Sequence, residues 1–146
     1  MTGVSNHRKI KLEELDTTLL TLRITRPKEL ARVRQSLERS GQLNPIVVRP
    51  LDDRFQILDG FKRYAVAGDL GWDSLEARIL DISLPEGKAA MLSYNRNGRS
   101  MLDYDEAMVI HSLKQEHLLD QAAISRLTGY SRSWVCRRLA LIEKLD

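Results

Sequence analysis

The chain has almost no cysteine and no long apolar run. The single Cys136 excludes an intramolecular disulfide and is compatible with a reducing cytosol. No apolar segment approaches the length that a membrane-spanning helix needs, so we expect no membrane partner. Residues 1–11 are polar and basic and lack the apolar core of a secretory signal. We therefore expect a cytoplasmic protein in which residues 1–15 form a mobile tail.

Residue patterns typical of metal sites and of catalytic sites are also lacking. His111 and His117 lie six residues apart on a predicted helix and do not share a face, so we predict no metal site. The sequence offers no paired carboxylates and no nucleophile beside a base, which predicts binding without catalytic residues. Asp59, beside Gly60, is the one carboxylate that would suit catalysis, and a turn or cap role is the alternative.

The chain does contain a globular composition and a basic C-terminal segment. Its 146 residues suffice for one domain or two small ones. A content of 42% apolar and 29% charged residues is typical of a soluble globular protein. The net charge of +3 is modest, but from residue 121 onward five basic residues face only two acidic ones. This local excess favours contacts with phosphates.

Residues 121–140 have the pattern of two short helices joined by a tight turn. Gly129 can adopt the positive φ that such a turn needs. The apolar seam between the two helices comprises Ile124, Leu127, Val135 and Leu139. This is a helix-turn-helix pattern, which predicts double-stranded DNA as a partner.

The second helix of this pattern carries the candidate DNA contacts. With Val135 turned inward, its polar residues lie on the face that enters the major groove. Ser131 is also placed to cap the helix. The alternative is that the arginines are solvated surface charges, with Arg138 favoured at the helix end by the helix dipole. The predicted DNA-binding residues are Ser131, Arg132, Ser133, Arg137 and Arg138.

The first part of the chain alternates between strand and helix patterns. Alternating and β-branched runs indicate strands, whereas Pro and Gly mark the two ends of a helix. The expected elements are a strand over residues 19–24, a helix from Pro27 to Gly41, a hairpin of residues 45–49 and 54–58, a helix over residues 61–70 and a strand over residues 74–80.

The later part of the chain predicts only helices. Ser83 with Glu86, and Asp103 with Glu106, form two capping boxes that start helices. The polar, Gly-containing residues 95–100 are the expected domain boundary. The predicted fold class is therefore α+β, with a small mixed sheet and helix domain over residues 1–98 and an all-helical DNA-binding domain over residues 99–146.

Several spaced motifs together resemble the N-terminal domain of ParB-type partition proteins. The matching segments are Ser36-Leu-Glu-Arg-Ser-Gly41, Leu43-Asn-Pro-Ile-Val-Val-Arg49 and Ile57-Leu-Asp-Gly-Phe-Lys-Arg-Tyr64. The similarity continues through Asn95 and the helix-turn-helix and covers about four fifths of the chain. The resemblance implies a ParB-like N-terminal domain followed by a helix-turn-helix that reads a DNA site.

In that family the motif that begins with glycine opens a helix and cradles nucleotide phosphates. In this sequence a strand runs into Gly60 and a helix follows, which leaves backbone N–H groups at the positive end of the helix dipole, beside Lys62 and Arg63. The alternative is that Gly60 is only a turn residue and that the two cations are solvated. The candidate nucleotide-binding or phosphate-binding residues are Gly60, Phe61, Lys62, Arg63, Asn95 and Arg96.

Three positions depart from the family pattern. Phe61 stands where the family has an acidic residue, and Lys62 stands where it has an arginine, whose two-bond fork lysine cannot reproduce. Tyr94 replaces the glutamate that helps to hold a metal ion. The resemblance implies CTP with Mg²⁺ as the cofactor, and a site poor in carboxylates lacks the ligands that Mg²⁺ normally uses.

These observations predict a ParB-like DNA-binding protein that acts in partition or in transcription regulation. The first alternative is a CTP-type switch that uses the Gly60 cradle, and the second is a ParB-like nuclease. Any enzymatic activity would be that of a nucleoside triphosphatase. The expected partners are double-stranded DNA, a second copy of the chain and, as the resemblance implies, a ParA-like ATPase at the nucleoid.

Overall fold

The computed structural model describes residues 5–22, 26–95 and 101–143. The chain divides into two compact units, one of residues 1–21 and 25–82 and one of residues 22–24 and 83–146. The first contains β1 (Ser5–Lys11), β2 (Leu15–Asp16), α1 (Pro27–Ser40), β3 (Ile46–Leu51), β4 (Arg54–Asp59), α2 (Phe61–Asp69) and β5 (Ser74–Leu80). The second contains α3 (Leu84–Asn95), α4 (Asp103–Gln115), α5 (Gln121–Thr128) and α6 (Arg132–Glu143). The α+β class is confirmed.

The predicted tail over residues 1–15 is wrong over its described part. Residues 5–11 form β1, which pairs antiparallel with β5 and places Ile10 opposite Leu75. Ile10 is 1% exposed, whereas the preceding side chains from Asn6 to Lys9 are exposed. A strand with one inward apolar residue and basic outward ones has the composition of a tail, because its backbone pairing leaves no mark in the sequence.

The predicted strand over residues 19–24 is also wrong. Residues Thr18–Leu22 form a 3₁₀ helix, and residues 23–25 lie outside the described part of the chain. The strand in this region is the shorter β2, which pairs parallel with β4. It ends at Asp16, whose carboxylate accepts a hydrogen bond from the Thr18 N–H at 2.9 Å. This local turn redirects the chain, and Leu19 becomes buried on the 3₁₀ helix.

The five strands form one curled sheet in the order β1-β5-β3-β4-β2. The edge strands β1 and β2 are joined by the three residues Leu12–Glu14. In a flat sheet the two edges would lie roughly 19 Å apart, whereas such a link spans at most about 14 Å. The sheet must therefore curve towards closure. In agreement, the Arg8 guanidinium of β1 lies 4.8 Å from the ring centroid of Phe55 on β4.

The remaining elements of the first unit match their predictions. Pro27 is the first residue of α1, and Gly41, at φ 70°, ends the helix. The hairpin of β3 and β4 turns at Asp52, which has φ 56°. The core between sheet and helices contains mainly aliphatic side chains: Ile10, Leu15, Leu19, Leu37, Ile46, Val47, Val48, Ile57, Leu58, Phe61, Val66, Ala67, Leu75, Ala77 and Ile79.

The second unit consists of helices in its described part, as predicted. Ser83 and Glu86 form the expected capping box, with reciprocal bonds of 3.0 and 3.3 Å. The second predicted box is wrong by one residue, because the Asp105 carboxylate accepts the Leu102 N–H at 3.0 Å and the helix begins at Asp103. The buried apolar residues include Ala89, Met91, Leu92, Met101, Ala107, Val109, Ile110, Leu113, Ile124, Val135 and Leu139.

The predicted boundary at residues 95–100 lies largely outside the described residues. The two units divide between Ile82 and Ser83, so α3 groups with the later helices. The assignment of the two parts as a ParB-like N-terminal domain and a DNA-binding domain stays a prediction. Within the described ranges, no helix is both long enough and apolar enough to span a membrane.

Candidate functional site

The turn from β4 into α2 depends on Gly60. This residue has φ 114°, a conformation that side chains with a Cβ rarely adopt. A Cβ built at Gly60 would lie 2.4 Å from Cγ2 and 2.7 Å from Cβ of Ile46 on β3. Both the conformation and the close approach of β3 therefore require glycine here. The added atom would enter the core, so packing alone accounts for the glycine.

The start of α2 has the features of an anion site. Gly60, the N-cap residue, has no side chain with which to cap this helix. The first helical bond of the turn runs from the Tyr64 N–H to the Gly60 carbonyl at 2.9 Å. The amides before Tyr64 therefore lie at the positive end of the helix dipole, where an anion is stabilised. The Phe61 side chain is buried in the core and does not take part in such a site.

Lys62 is held by a carboxylate from α1. Its ammonium group forms a short ion pair with Glu29, and both side chains are largely buried. Glu29 also accepts a bond of 2.7 Å from Arg26. The hydrogen bond from Lys62 is the main cause that lowers the pKa of Glu29, although partial burial opposes it. The predicted cradle cation is thus already neutralised by an internal anion.

Arg63 is engaged in the same way. Its guanidinium donates to the Asn44 carbonyl at 2.5 Å and lies 3.3 Å from Oδ2 of Asp59. Burial lowers the pKa of Arg63, and the Asp59 charge opposes that shift. Asp59, the candidate catalytic carboxylate, therefore acts as an ion-pair partner. The structure brings Gly60 to Arg63 together at one helix start.

The other two predicted nucleotide-binding residues, Asn95 and Arg96, stay predictions. Asn95 is the last residue of α3 in the second unit. Arg96 lies outside the described residues.

The donors at the α2 start suit a phosphate group better than a metal ion. Backbone amides with a lysine beside them are the usual donors to phosphate. The nearby carboxylates Glu29 and Asp59 each face a cation. No group of three or more His, Cys, Asp or Glu side chains that could hold a metal ion occurs among the described residues. These residues fit the phosphates of a nucleotide, and they do not assemble a Mg²⁺ site.

The second candidate site is the pair of helices α5 and α6. The Asp120 side chain caps α5 by accepting the Ala123 N–H at 2.8 Å. Gly129, at φ 80°, ends α5 as the sequence predicts. The Ser125 hydroxyl donates to the Tyr130 carbonyl at 2.6 Å and fixes the turn.

The predicted apolar seam lies between the two helices. Ile124, Val135 and Leu139 are buried, and Leu127 is half-buried. Ser131 caps α6, because its hydroxyl accepts the Trp134 N–H at 3.1 Å. Packing on one side and a cap at the start therefore fix which face of α6 is turned to solvent.

The exposed face of α6 contains four of the five predicted DNA-binding residues. Neither Arg132 nor Arg137 makes an ion pair or a side-chain hydrogen bond with any described residue, and both are exposed. Cys136 is also exposed between them. We call this surface the α6 face; it comprises Ser131, Arg132, Ser133, Cys136 and Arg137.

Arg138 differs from its neighbour Arg137. Its Nε lies 3.1 Å from Oε1 of Glu106, and a second nitrogen lies 3.5 Å from Asp103. Its guanidinium also stacks over the Trp134 ring at 4.5 Å. These contacts join α6 to α4, so the contacts of Arg138 are structural. Its predicted DNA contact stays a prediction.

Two further interactions were not expected from the sequence. Tyr130 and Trp134 stack with ring centroids 3.8 Å apart, which continues the stack under Arg138. Lys88 on α3 is buried, and its ammonium lies 2.6 Å from the Ser112 hydroxyl and 2.9 Å from Nε2 of His117. The sequence does contain a signal for the Lys88 contacts, because this lysine directly precedes an Ala-Ala-Met-Leu run. A lysine in such an apolar segment is expected to be buried, and a buried cation needs a polar partner.

Comparison with known proteins matches residues 2–96 to the family model described as ParB N-terminal domain. A nucleoid occlusion protein of Oceanobacillus iheyensis is 30% identical over 118 residues, which is 80% of this chain and 40% of that protein. A probable chromosome-partitioning protein ParB of Pseudomonas putida is 31% identical over 121 residues, which is 82% of this chain and 42% of the relative. The chain thus spans about two fifths of the length of these relatives.

Solved structures share the fold. A C-terminally truncated chromosome-partitioning protein ParB from Caulobacter crescentus, complexed with CTP-gamma-S, matches with a TM-score of 0.58 and 23% identity over 94% of this chain and 79% of that one. The same truncated protein complexed to the centromeric parS site matches at 0.56, with 24% identity over 92% and 71%. A pNOB8-like ParB N-domain matches at 0.69, with 14% identity over 97% and 66%.

The family model covers more than half of the chain, and the relatives match beyond its end into the helices of the second unit. The chain belongs to the ParB N-terminal domain family.

Proposed function

We propose that the chain binds double-stranded DNA through the α6 face, as a ParB-like factor in chromosome or plasmid partition or in transcription regulation. The observation that carries this proposal is the pair of exposed arginines, Arg132 and Arg137, which have no ion-pair partner among the described residues. Two cations that the fold leaves unneutralised are available to an external anion. The relative complexed to the parS site supports DNA as that anion.

The geometry of α6 suits a helix that reads bases. Arginine can bridge the O6 and N7 atoms of guanine with two hydrogen bonds, so Arg132 or Arg137 would supply base or phosphate contacts. Ser133, near the helix start, and the capping Ser131 would add shorter contacts. Arg138 is held by Glu106 on the neighbouring helix and would act as a positioning residue for α6. The adjacent residues Arg137 and Arg138 would thus have different roles. Arg138 holds α6 against α4, and Arg137 contacts the DNA.

Selection of bound fragments from sheared genomic DNA tests this function. The chain is compared with Arg132→Ala/Arg137→Ala at two salt concentrations, and Lys9→Ala/Arg34→Ala serves as a control with the same loss of charge. We expect a discrete motif that the α6 variant loses and the control retains. Each lost base contact should weaken binding to that motif by about 5- to 150-fold. Equal recovery of the motif by the α6 variant would overturn the proposal.

We further propose that DNA affinity depends on self-association of the chain. A single recognition helix covers one half-site, whereas helix-turn-helix proteins usually bind two half-sites as dimers. Sedimentation of the protein alone, run beside DNA titrations over the same concentration range, tests this dependence. Equal affinity for a demonstrably monomeric form would contradict it. A ParA-like ATPase partner and a location at the nucleoid would follow from a role in partition.

The second candidate function is that of a nucleotide-operated switch. The start of α2, with a glycine at its N-cap and Lys62 beside it, favours phosphate binding, and the relative complexed with CTP-gamma-S supports CTP as the nucleotide. Lys62 would bind the phosphates, while the backbone at Gly60 orients the amides. Since the carboxylates beside this helix start, Glu29 and Asp59, are each engaged by a cation, we propose binding without a hydrolytic step.

Calorimetric titration with CTP, with and without Mg²⁺, tests the switch. We expect binding by the unaltered chain and its loss in Lys62→Ala, with Lys114→Ala as a control lysine on α4. Lys114 lies in the second unit, where it pairs with Glu143. The absence of CTP binding in both Mg²⁺ conditions would remove this function and leave the DNA proposal intact.

A further inference from the structure

The outer surface of α1 carries a line of positively charged side chains. Lys28, Arg32 and Arg39, with Gln35 between them, are spaced four, three and four residues apart and are all exposed. This spacing puts them on one helix face that is about 16 Å long. The same geometry puts them about 180° from the buried Leu37. We call these four residues the α1 stripe.

Among the residues that the structure describes, the cations of the α1 stripe have no ion-pair partner. The acidic residues of α1 are used by other cations, since Glu29 pairs with Arg26 and Lys62, and Glu38 pairs with Arg34. In the part of the chain that the structure describes, no ion pair or side-chain hydrogen bond involves any residue of the stripe. An external anion is therefore the partner that these charges lack.

The arrangement of the stripe is unfavourable within the protein itself. Lys28 and Arg32 lie one helical turn apart and repel each other. Lys28 also stands in the first turn, where the helix dipole disfavours a cation. The folded chain thus carries a small electrostatic cost that no described contact offsets. Such a cost is removed when an anion binds.

The positive charge is concentrated on α1 rather than spread over the unit. The helix and its N-cap Arg26 contain five basic and two acidic residues. The other described residues of the first unit contain eight basic and ten acidic ones. Outside α1 the unit therefore has a slight negative excess, so the stripe is a local feature of its charge distribution.

We propose that the α1 stripe binds the sugar-phosphate backbone of DNA, as a contact surface separate from the α6 face; this inference rests on the proposed DNA-binding function. Phosphate oxygens accept hydrogen bonds from arginine, lysine and glutamine, the three residue types in the stripe. The stripe contains no aromatic or aliphatic side chain. It therefore lacks the anchor that a protein partner would need, and it lacks a ring on which a base could stack.

The contact is sequence-independent. Cations on phosphates displace condensed counterions, so affinity falls with salt by a slope of about 0.9 per neutralised phosphate. The stripe would therefore contribute to the salt dependence of binding and leave the choice of sequence to the α6 face. These two effects are measured separately.

Fluorescence anisotropy with a random-sequence duplex at several salt concentrations tests the proposal. The full chain is compared with Lys28→Gln/Arg32→Gln/Arg39→Gln. A control, Lys9→Gln/Lys11→Gln/Arg34→Gln, removes three positive charges from other surfaces of the same unit. Circular dichroism verifies that both variants remain folded. We expect the salt slope to fall by about 1–3 in the stripe variant and to fall less in the control.

A parallel titration with Arg132→Gln/Arg137→Gln separates this inference from the proposed function. If the stripe variant and its control have the same slope, the stripe makes no phosphate contact and the inference is wrong. If the salt slope falls more in the stripe variant than in its control, the α1 contact stands. If the α6 variant at the same time retains the selected motif, the α6 proposal fails. If the unaltered chain binds no DNA at all, both are overturned.

Discussion

The helices α2 and α6 both begin beside predicted binding cations, but those cations are ion-paired at α2 and exposed on α6. At the α2 start, Lys62 is paired with Glu29 and Arg63 with Asp59. On the α6 face, Arg132 and Arg137 are exposed and unpaired within the described residues. Both regions have the same local pattern, a glycine turn followed by a basic helix. Only one of them leaves its positive charge available to an external anion.

For Arg63 the partner is local, since Asp59 lies four residues before it, but for Lys62 the partner is far away in the sequence. Glu29 lies 33 residues before Lys62, and Glu106 lies 32 residues before Arg138. Their approach depends on helix packing, which a local motif does not encode. A phosphate at the α2 start would have to compete with Glu29, whereas DNA at the α6 face would meet no such competitor. The comparison therefore favours DNA binding over nucleotide binding as the stronger activity.

The largest expected effect is that of Gly60→Ala. The alanine would have to adopt a positive φ, at about 1–2 kcal/mol, and its Cβ would overlap Ile46, at about 1–3 kcal/mol more. For Gly129→Ala, at φ 80°, we expect the backbone cost of about 1–2 kcal/mol alone. Thermal unfolding followed by tryptophan fluorescence in Trp134→Phe and Trp72→Phe backgrounds reports on the two units separately. Similar costs for both glycines would show that packing against β3 does not distinguish the α2 corner.

Next in size is the contrast between the adjacent Arg138 and Arg137. Arg138→Gln removes an ion pair with the largely buried Glu106 and should lower stability by about 1–3 kcal/mol. Arg137→Gln should leave stability within about 0.5 kcal/mol and weaken binding to the selected DNA motif. Chemical unfolding and DNA titration of both variants test this division. A larger loss of DNA affinity in Arg138→Gln at unchanged stability would restore Arg138 as a DNA contact.

Much of the fold could be predicted from patterns within the sequence. The hairpin at Asp52, the helix that begins at Pro27 and the turn at Gly129 carry residues whose backbone preferences mark them. The strand β1 could not be found in this way, since long-range pairing with β5 stabilises it and, of residues 6–11, only Ile10 is buried. Local preference and burial pattern are both weak in such an edge strand.

The candidate sites were predictable to different degrees. On α6 the seam residues have helical spacing, and this spacing also fixes which side chains point outward. At the α2 start, the glycine turn and the two cations that follow it are visible in the sequence, and Asp59 stands at the i,i+4 spacing of a pair with Arg63. The pairing of Lys62 with Glu29 was not predictable, because these residues lie 33 positions apart on different helices. The buried position of Lys88 and its contact with His117 depend on the packing of α3 on α4. No periodic pattern in the sequence predicts that packing.

A smaller effect is expected for Glu29→Gln, which would make the α2 start resemble the α6 face. The substitution removes the internal anion from Lys62, so the affinity of the chain for pyrophosphate should rise several-fold. Glu38→Gln, on the same helix and paired with Arg34, is the matched control and should change nothing. Isothermal titration with pyrophosphate measures both. Unchanged affinity in Glu29→Gln would mean that the ion pair does not compete with a bound phosphate.

The smallest effect concerns Lys88, a cation that is buried in the second unit. It donates to Nε2 of His117, which requires the imidazole to be neutral at that nitrogen. Burial, and then the charge of Lys88, lower the pKa of His117 below its usual 6.5, while Glu116 opposes the shift. The folded state therefore binds fewer protons than the unfolded state just below that pH. This contribution to stability is complete above about pH 6.5 and is lost as the pH falls through the lowered pKa.

His117→Gln separates the titration of the imidazole from its hydrogen bond. Glutamine can still accept a hydrogen bond from Lys88 but has no charge to gain. The nearby Glu116 has its pKa lowered, chiefly by the hydrogen bond from Ser112, so it titrates below its usual 4.5 and outside this window. We expect the Tm of the unaltered chain to fall more than that of the variant between about pH 7.5 and pH 5.5. Parallel curves for both proteins would mean that the pKa of His117 is not lowered in the folded chain. The contrast between enclosed and available cations would then apply to the α2 start and the α6 face alone.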